Sequence, residues 1–273
     1  MKRLAILLAL VLASCGRNEP AAWLGYAEGD DAFIAAPQPG WVSTLHVERG
    51  DTVHKGQLLF TLDDTQQRAG RDQAEATLAQ MKATLAQQQA NLAYTSRQLS
   101  RQQGLARDHA GTPTNLDLAQ SNYRQSVAQI SQIEAQIAQM QASLSGAQYQ
   151  LSQRRVVADT EGRVEDIYFR PGEYVPASTP VLSVLPPKNV FVRFFVPETE
   201  FAKIHIGQRV AISCDGCAKN MQATVTFIAQ QQEFTPPVVF SVDSRSKLVF
   251  KLEARAPGGL RLNPGQPVDV RPL

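Results

Sequence analysis

Cysteine is scarce in this chain, with three residues among 273, at positions 15, 214 and 217. Histidine is little more frequent, and His46, His54, His109 and His205 lie in unrelated segments. A zinc site needs about four such ligands at workable spacing, and none of these residues makes that pattern. The phosphate-cradling glycine loop, the nucleophile elbow and the paired-acid arrangement are missing too. The sequence therefore predicts no catalytic residue, no metal, no cofactor and no enzyme. Charge of one sign is not in excess: 27 Lys and Arg face 25 Asp and Glu, with no basic block or acidic tail. That excludes nucleic acid as an expected partner. The apolar run at the N-terminus, from Leu4 to Ala13, stops well short of the roughly 20 residues that cross a bilayer.

What is present begins with that run. Lys2 and Arg3 precede it, and Leu12-Ala13-Ser14-Cys15 follows. A charged start, a short apolar stretch and small residues read as a secretory signal. The closing tetrad resembles the bacterial lipobox, in which the cysteine is lipidated and becomes the mature N-terminus. Residues 1–14 are thus expected to be a signal peptide, Cys15 the lipid attachment site, and 15–34 a lipid-anchored N-terminal segment. Gly16 stands where an aspartate commonly marks retention at the inner membrane, so the choice of membrane stays open, with the inner membrane favoured. Removing Cys15 leaves two cysteines, an even number that suits an oxidising compartment. They sit in 213-SCDGCAKN-220, where Asp-Gly marks a tight turn. A local Cys214–Cys217 disulfide is the leading reading. A thioredoxin-like pair also requires a strand–helix setting, and 223-ATVTFIA-229 reads as strand.

Two distant segments repeat. In 36-APQPGWVSTLHVERGDTVHKGQLLFTL-62 and 158-ADTEGRVEDIYFRPGEYVPASTPVLSV-184, Gly40 answers Gly162, Val42 answers Val164, Gly50 answers Gly172 and Val53 answers Val175. The offset is 122 residues throughout; Gly56 alone among the turn glycines lacks a match and meets Ser178. Each half has too few strands to bury a face alone. Together they predict one β-domain split by an insertion, with halves at 35–63 and 156–186.

The insertion, 64–155, carries heptads. Leu78, Leu85, Leu92, Leu99 and Ala106 stand seven apart in one arm; Leu116, Tyr123, Ile130, Ile137, Leu144 and Leu151 do so in the other. Sustained spacing of this kind predicts two coiled-coil helices. Between them, 108-DHAGTPT-114 supplies Gly111 to end a helix, Thr112 to cap the next and Pro113 for its first turn. The product is an antiparallel hairpin of roughly 60 Å, at about 1.5 Å per residue. Gln88, Thr95 and Gln102 fall on the seam and make it partly polar. Leu105 and Leu118 fall off it. After 186-PPKN-189, short β-rich runs separated by Pro, Gly and Asp predict a small barrel with a closing strand over 187–273.

Export signal, half a lipoyl domain, helical hairpin, other half and barrel, in that order, resemble the HlyD-type periplasmic adaptors, or membrane fusion proteins. The motifs that carry the likeness are 40-GWVSTLHVERGDTVHKGQLLFTLD-63, 162-GRVEDIYFRPGEYV-175 and 262-LNPGQPVDV-270. The resemblance implies an elongated multidomain α+β fold: a split biotinyl/lipoyl-like β-domain, an inserted antiparallel α-helical hairpin and a small β-barrel. It implies an adaptor linking an inner-membrane transporter, permease plus ATPase, to a TolC-type outer-membrane channel. Such adaptors sit in the periplasm on a lipid anchor and self-associate as hexamers. Hairpin tips of that family often carry Arg, then Leu four later, then Ser seven after that. Arg101, Leu105 and Thr112 keep those spacings, with Thr112 preserving the hydroxyl. Leu105 and Leu118, apolar where the hairpin's own packing has no use for them, mark an expected channel contact.

Other readings fit the residues less well. A lipoyl or biotinyl carrier presents its lysine on the turn between the halves, where this chain has its insertion; Met81-Lys82 lies in mid-helix. A coiled-coil lipoprotein scaffold without a transporter leaves the split β-domain without a purpose. Within the adaptor reading, 224-TVTFIAQQQEFTPPVVFSVDSRSKLVFKLEA-254 looks more like partners of ABC exporters than of resistance-nodulation-division pumps. Copper or silver export would call for clustered soft thioethers, whereas Met81, Met140 and Met221 lie far apart.

Overall fold

A computed structural model describes residues 22–218, 220–234 and 248–273. The expected signal peptide 1–14 and Cys15 lie outside the described residues. Among the described residues, fourteen strands and a helical hairpin make up the fold. Eight of the strands form a sandwich: β2 (Ala32–Ala35), β3 (Gly40–Leu45), β4 (Thr52–Val53) and β5 (Leu58–Leu62) before the hairpin, and β6 (Arg155–Val157), β7 (Gly162–Ile167), β8 (Tyr174–Val175) and β9 (Pro180–Leu185) after it. The sheet orders are β2-β9-β7-β4 and β6-β5-β3-β8. Each sheet takes two strands from either half, so neither half can close without the other.

The sequence repeat is a repeat of buried positions. Val42, Val53, Leu59 and Leu62 and their counterparts Val164, Val175, Val181 and Val184 are all 2% exposed or less. The backbone exchanges hydrogen bonds by the same rule. Gly50 N–H donates to the Val164 carbonyl and Gly172 N–H to the Val42 carbonyl, each at 2.8 Å. Gly56 N–H reaches the Ala158 carbonyl at 2.7 Å, and Ser178 N–H the Ala36 carbonyl at 2.8 Å. The one mismatch in the turn glycines is thus a mismatch of residue type only. Ser178 takes φ 61 where Gly56 takes φ 85, a left-handed backbone that costs an L-residue about 1 kcal/mol or more. Ser178→Gly is expected to stabilise the sandwich by about 0.5–1 kcal/mol, read as a higher denaturant midpoint. An unchanged or lower midpoint would show that the Ser178 side chain repays its backbone.

The second β body is a closed six-stranded barrel, in the order β1-β10-β13-β12-β11-β14. Its strands are β1 (Trp23–Gly29), β10 (Val190–Pro197), β11 (Arg209–Ser213), β12 (Met221–Phe234), β13 (Leu248–Arg255) and β14 (Pro267–Pro272). Two expected boundaries need correction here. The segment 15–34 is not all anchor: Trp23–Gly29 is a barrel strand and β2 begins at Ala32. The barrel is accordingly not confined to 187–273. The physical reason is closure. The strands after residue 187 leave two open edges, and β1 pairs with both β10 and β14 to seal them. Its inward positions are Trp23, Gly25 and Ala27, of which only Trp23 is large, so the period-two signal was weak. Gly25 is required by close approach: a Cβ there would meet the Arg193 carbonyl oxygen at 2.5 Å and Phe194 Cβ at 2.7 Å. Trp23 Nε1 donates to Glu200 at 2.6 Å, fastening β1 to the short helix Glu198–Phe201.

A candidate partner-docking hairpin

The hairpin leaves the sandwich between β5 and β6 as α1 (Thr65–Arg107) and α2 (Pro113–Ser152). Asp63 and Asp64 stand at its root. Thr65 donates to Asp63 Oδ1 through its hydroxyl at 2.7 Å and its N–H at 3.0 Å. Those two bonds, hydroxyl first, hold the Asp63 carboxyl below the usual carboxylate range. Asp64 pairs with Arg68 one turn on, at 2.6 Å. In the turn just before β6, Arg154 is buried, and its guanidinium donates to the Pro39 carbonyl at 2.9 Å. Side chains from both halves therefore aim the rod.

Along the shaft, half-buried positions alternate at spacings of three and four. They include 78, 81, 85, 88, 92, 95, 99, 102 and 106 on α1, and 116, 119, 123, 126, 130, 133 and 137 on α2. This is the heptad seam expected from the leucines. Only Leu78, Ala119, Ser126 and Ile133 are fully buried, because two helices cover each other along a single stripe. The polar seam has a partner that sequence reasoning missed: the Thr95 hydroxyl lies 3.3 Å from that of Ser126, which donates to the Asn122 carbonyl at 3.0 Å. Ser126 was findable, since it stands three after Tyr123 and four before Ile130.

The tip turns differently from the sequence expectation. The helix ends at Arg107, and the left-handed residue is His109, φ 55, rather than Gly111. Ala110 and Gly111 N–H both donate to the Leu105 carbonyl, at 2.9 and 3.1 Å. Gly111 is instead closely approached: a Cβ there would lie 3.2 Å from Leu105 Cβ, a tight contact. Thr112 caps α2 as expected, its hydroxyl accepting from Asn115 N–H at 3.4 Å. Arg101 and Thr112 are exposed. Leu105 is 38% exposed and Leu118 60%. Leu118 borders a shallow groove of about 400 Å³ with Tyr94, Gln98, Gln102, Asn115 and Asn122. Arg101, Leu105 and Thr112 do not line that groove.

Residues 77–154 match the family model described as RND MFP, alpha-helical hairpin domain. Over those residues the hairpin is similar to that of the membrane fusion proteins. Over the longer chain, a UPF0194 membrane protein of Yersinia pseudotuberculosis serotype O:3 (strain YPIII) is 28% identical across 99% of both chains. A UPF0194 membrane protein in the asrC 5' region of Acidithiobacillus ferridurans is 32% identical over 123 residues, 44% of this chain and 36% of that relative's length. The fold is that of MacA from Actinobacillus actinomycetemcomitans, with a TM-score of 0.70 at 18% identity, covering 92% of this chain and 76% of that one.

The remaining sequence-marked residues fall outside the hairpin. The structure places Cys214 and Cys217 in sulfur–sulfur contact across the β11–β12 turn, their Cα atoms 5.4 Å apart. Both pack against the barrel core, distant in sequence from the hairpin. Among the described residues no group of three or more His, Cys, Asp or Glu could hold a metal ion. Among them also, no helix is long and apolar enough to cross a membrane.

Proposed function

We propose that this chain is the periplasmic adaptor of a tripartite export system. It joins an inner-membrane transporter to a TolC-type outer-membrane channel. The observation that carries the reading is the interleaved sandwich, whose closure sends a 43-residue helix and its 40-residue partner out as one rod. A rod of roughly 60 Å with exposed leucines near its free end suits contact with a distant partner. Lipid on Cys15 holds the base at a membrane, the inner membrane favoured. Copies pack side by side as a ring, taken as a hexamer. The bridging Cys214–Cys217 pair is oxidised in that compartment.

The transporter is an ABC exporter in the favoured reading, on the resemblance of 224–254. The words RND in the description of the matching hairpin family support a second reading, an adaptor of a resistance-nodulation-division pump. Affinity purification of the full chain from solubilised membranes separates them. An ATP-binding subunit with its permease is expected, together with an outer-membrane channel. A proton-driven pump instead would replace the first reading with the second. Recovery of neither transporter nor channel would sink both and leave a scaffold lipoprotein. For the anchor, Cys15→Ser is expected to abolish fatty-acid labelling and membrane retention of the processed protein. Continued labelling of that variant would refute the lipoprotein assignment.

A further inference from the structure

We infer that Cys214–Cys217 is a reversible thiol–disulfide exchange site whose partner is a dithiol. Three observations converge on it. First, Gln266 Nε2 donates to both sulfurs, Cys214 Sγ and Cys217 Sγ, at 3.4 Å each. The orientation of that amide is set from its other end, because the Gln266 side-chain oxygen accepts from Asn263 N–H at 3.2 Å. The backbone around it is tied to β1: Ala27 N–H donates to the Gln266 carbonyl at 2.9 Å and Gly265 N–H to the Ala27 carbonyl at 2.8 Å. A fixed N–H between two sulfurs stabilises whichever of them carries the negative charge. Second, Cys214 and Cys217, both half-buried, differ in what they border. Cys214 lines an open cavity of about 690 Å³ with Leu24, Tyr26, Asp215, Pro267 and Asp269, and Cys217 does not. Third, the bridge links residues only three apart in sequence. So short a loop constrains little of the unfolded chain, and the barrel is sealed by strand pairing without it. Opening the bridge therefore leaves the fold intact, which a structural staple would not allow.

The exchange runs as follows. A thiolate of the incoming dithiol attacks Cys214 Sγ from the cavity, the Cys214–Cys217 bond breaks, and its electron pair leaves on Cys217 Sγ beside the Gln266 amide. The second thiol of the partner then attacks the mixed disulfide and releases Cys214 as thiolate. The partner is oxidised to a disulfide by two electrons, and its two thiol protons end on Cys214 and Cys217.

The test uses the full chain as isolated, with dithiothreitol as the dithiol. Thiols are counted by maleimide–polyethylene glycol gel shift while Trp23 fluorescence follows the barrel. Two thiols are expected to appear at reductant levels that leave the fluorescence native. Thiols that emerge only with denaturant would overturn the inference in favour of a staple, as would a pair already free in the isolated protein. In single variants, Cys214 in Cys217→Ser is expected to react with an aromatic disulfide reagent about tenfold faster than Cys217 in Cys214→Ser. Equal or reversed rates would overturn the order of attack. Gln266→Leu is expected to slow reduction of the bridge about three- to tenfold, and an unchanged rate would remove the amide from the site.

Discussion

Leu118→Asp is expected to abolish channel engagement while the hairpin keeps its helicity and melting behaviour. Leu118 is 60% exposed and off the seam, so its substitution removes little packing, and surface changes of that kind stay within about 0.5 kcal/mol. At an interface the same residue would be an apolar anchor. Replacing such an anchor by a charge costs on the order of 2–4 kcal/mol, roughly 30- to 1000-fold in affinity. Leu105→Asp is expected to weaken engagement comparably, but with a small additional cost in stability, because Gly111 packs against Leu105 at the turn. The pair of variants thus separates contact from folding. Binding of the purified full chain to the outer-membrane channel, with circular dichroism as the control, is the measurement. Wild-type affinity from a folded Leu118→Asp variant would remove Leu118 from the contact, and the same result with Leu105→Asp would remove the tip.

Gly259→Val is expected to unfold the barrel's junction with the sandwich. Gly259 has φ +77, and a Cβ there would collide with the Pro187 carbonyl and lie 2.8 Å from Lys188 Cα. Those atoms belong to the 3-10 turn Pro187–Asn189, which carries the chain from β9 into β10. The obstruction is backbone, so no change of rotamer relieves it. Positive φ adds a second cost for a β-branched residue. Together they place the loss above about 3 kcal/mol, a large part of the 5–15 kcal/mol that holds an ordinary domain. Trp23 is buried in the barrel, whereas Trp41 is exposed on the sandwich. Trp23 fluorescence in a Trp41→Phe background therefore reports the barrel alone during denaturation. A midpoint equal to that of the parent would show that Pro187 can withdraw at no cost.

The candidate site was legible to the extent that its pattern was local. The seam leucines could be counted along the chain, and Leu105 and Leu118 were conspicuous because they broke the count. Tyr94, Gln98, Asn115 and Asn122 were not, because a groove between two helices exists only once both are in register. The tip turn was misassigned to Gly111 for a similar reason. Glycine signals permissive backbone, but here Gly111 sits close against Leu105, and His109 took the left-handed position. Gln266 gave no signal at all as a partner of the two cysteines, some 50 residues before it in the chain.

Sequence alone determined the order of parts: two β segments in a 122-residue repeat, a heptad insertion between them and short strands after. It could do so because burial periodicity is written directly in side-chain type, at period two in strands and three to four in helices. Only the tertiary structure decided which strands close which body. Trp23–Gly29 sealed the barrel although two of its three inward positions, Gly25 and Ala27, are glycine and alanine, and the two sandwich halves traded strands so that each sheet holds both. Closure depends on backbone hydrogen bonds at free edges, which every residue but proline offers equally, so side-chain pattern carries no record of it.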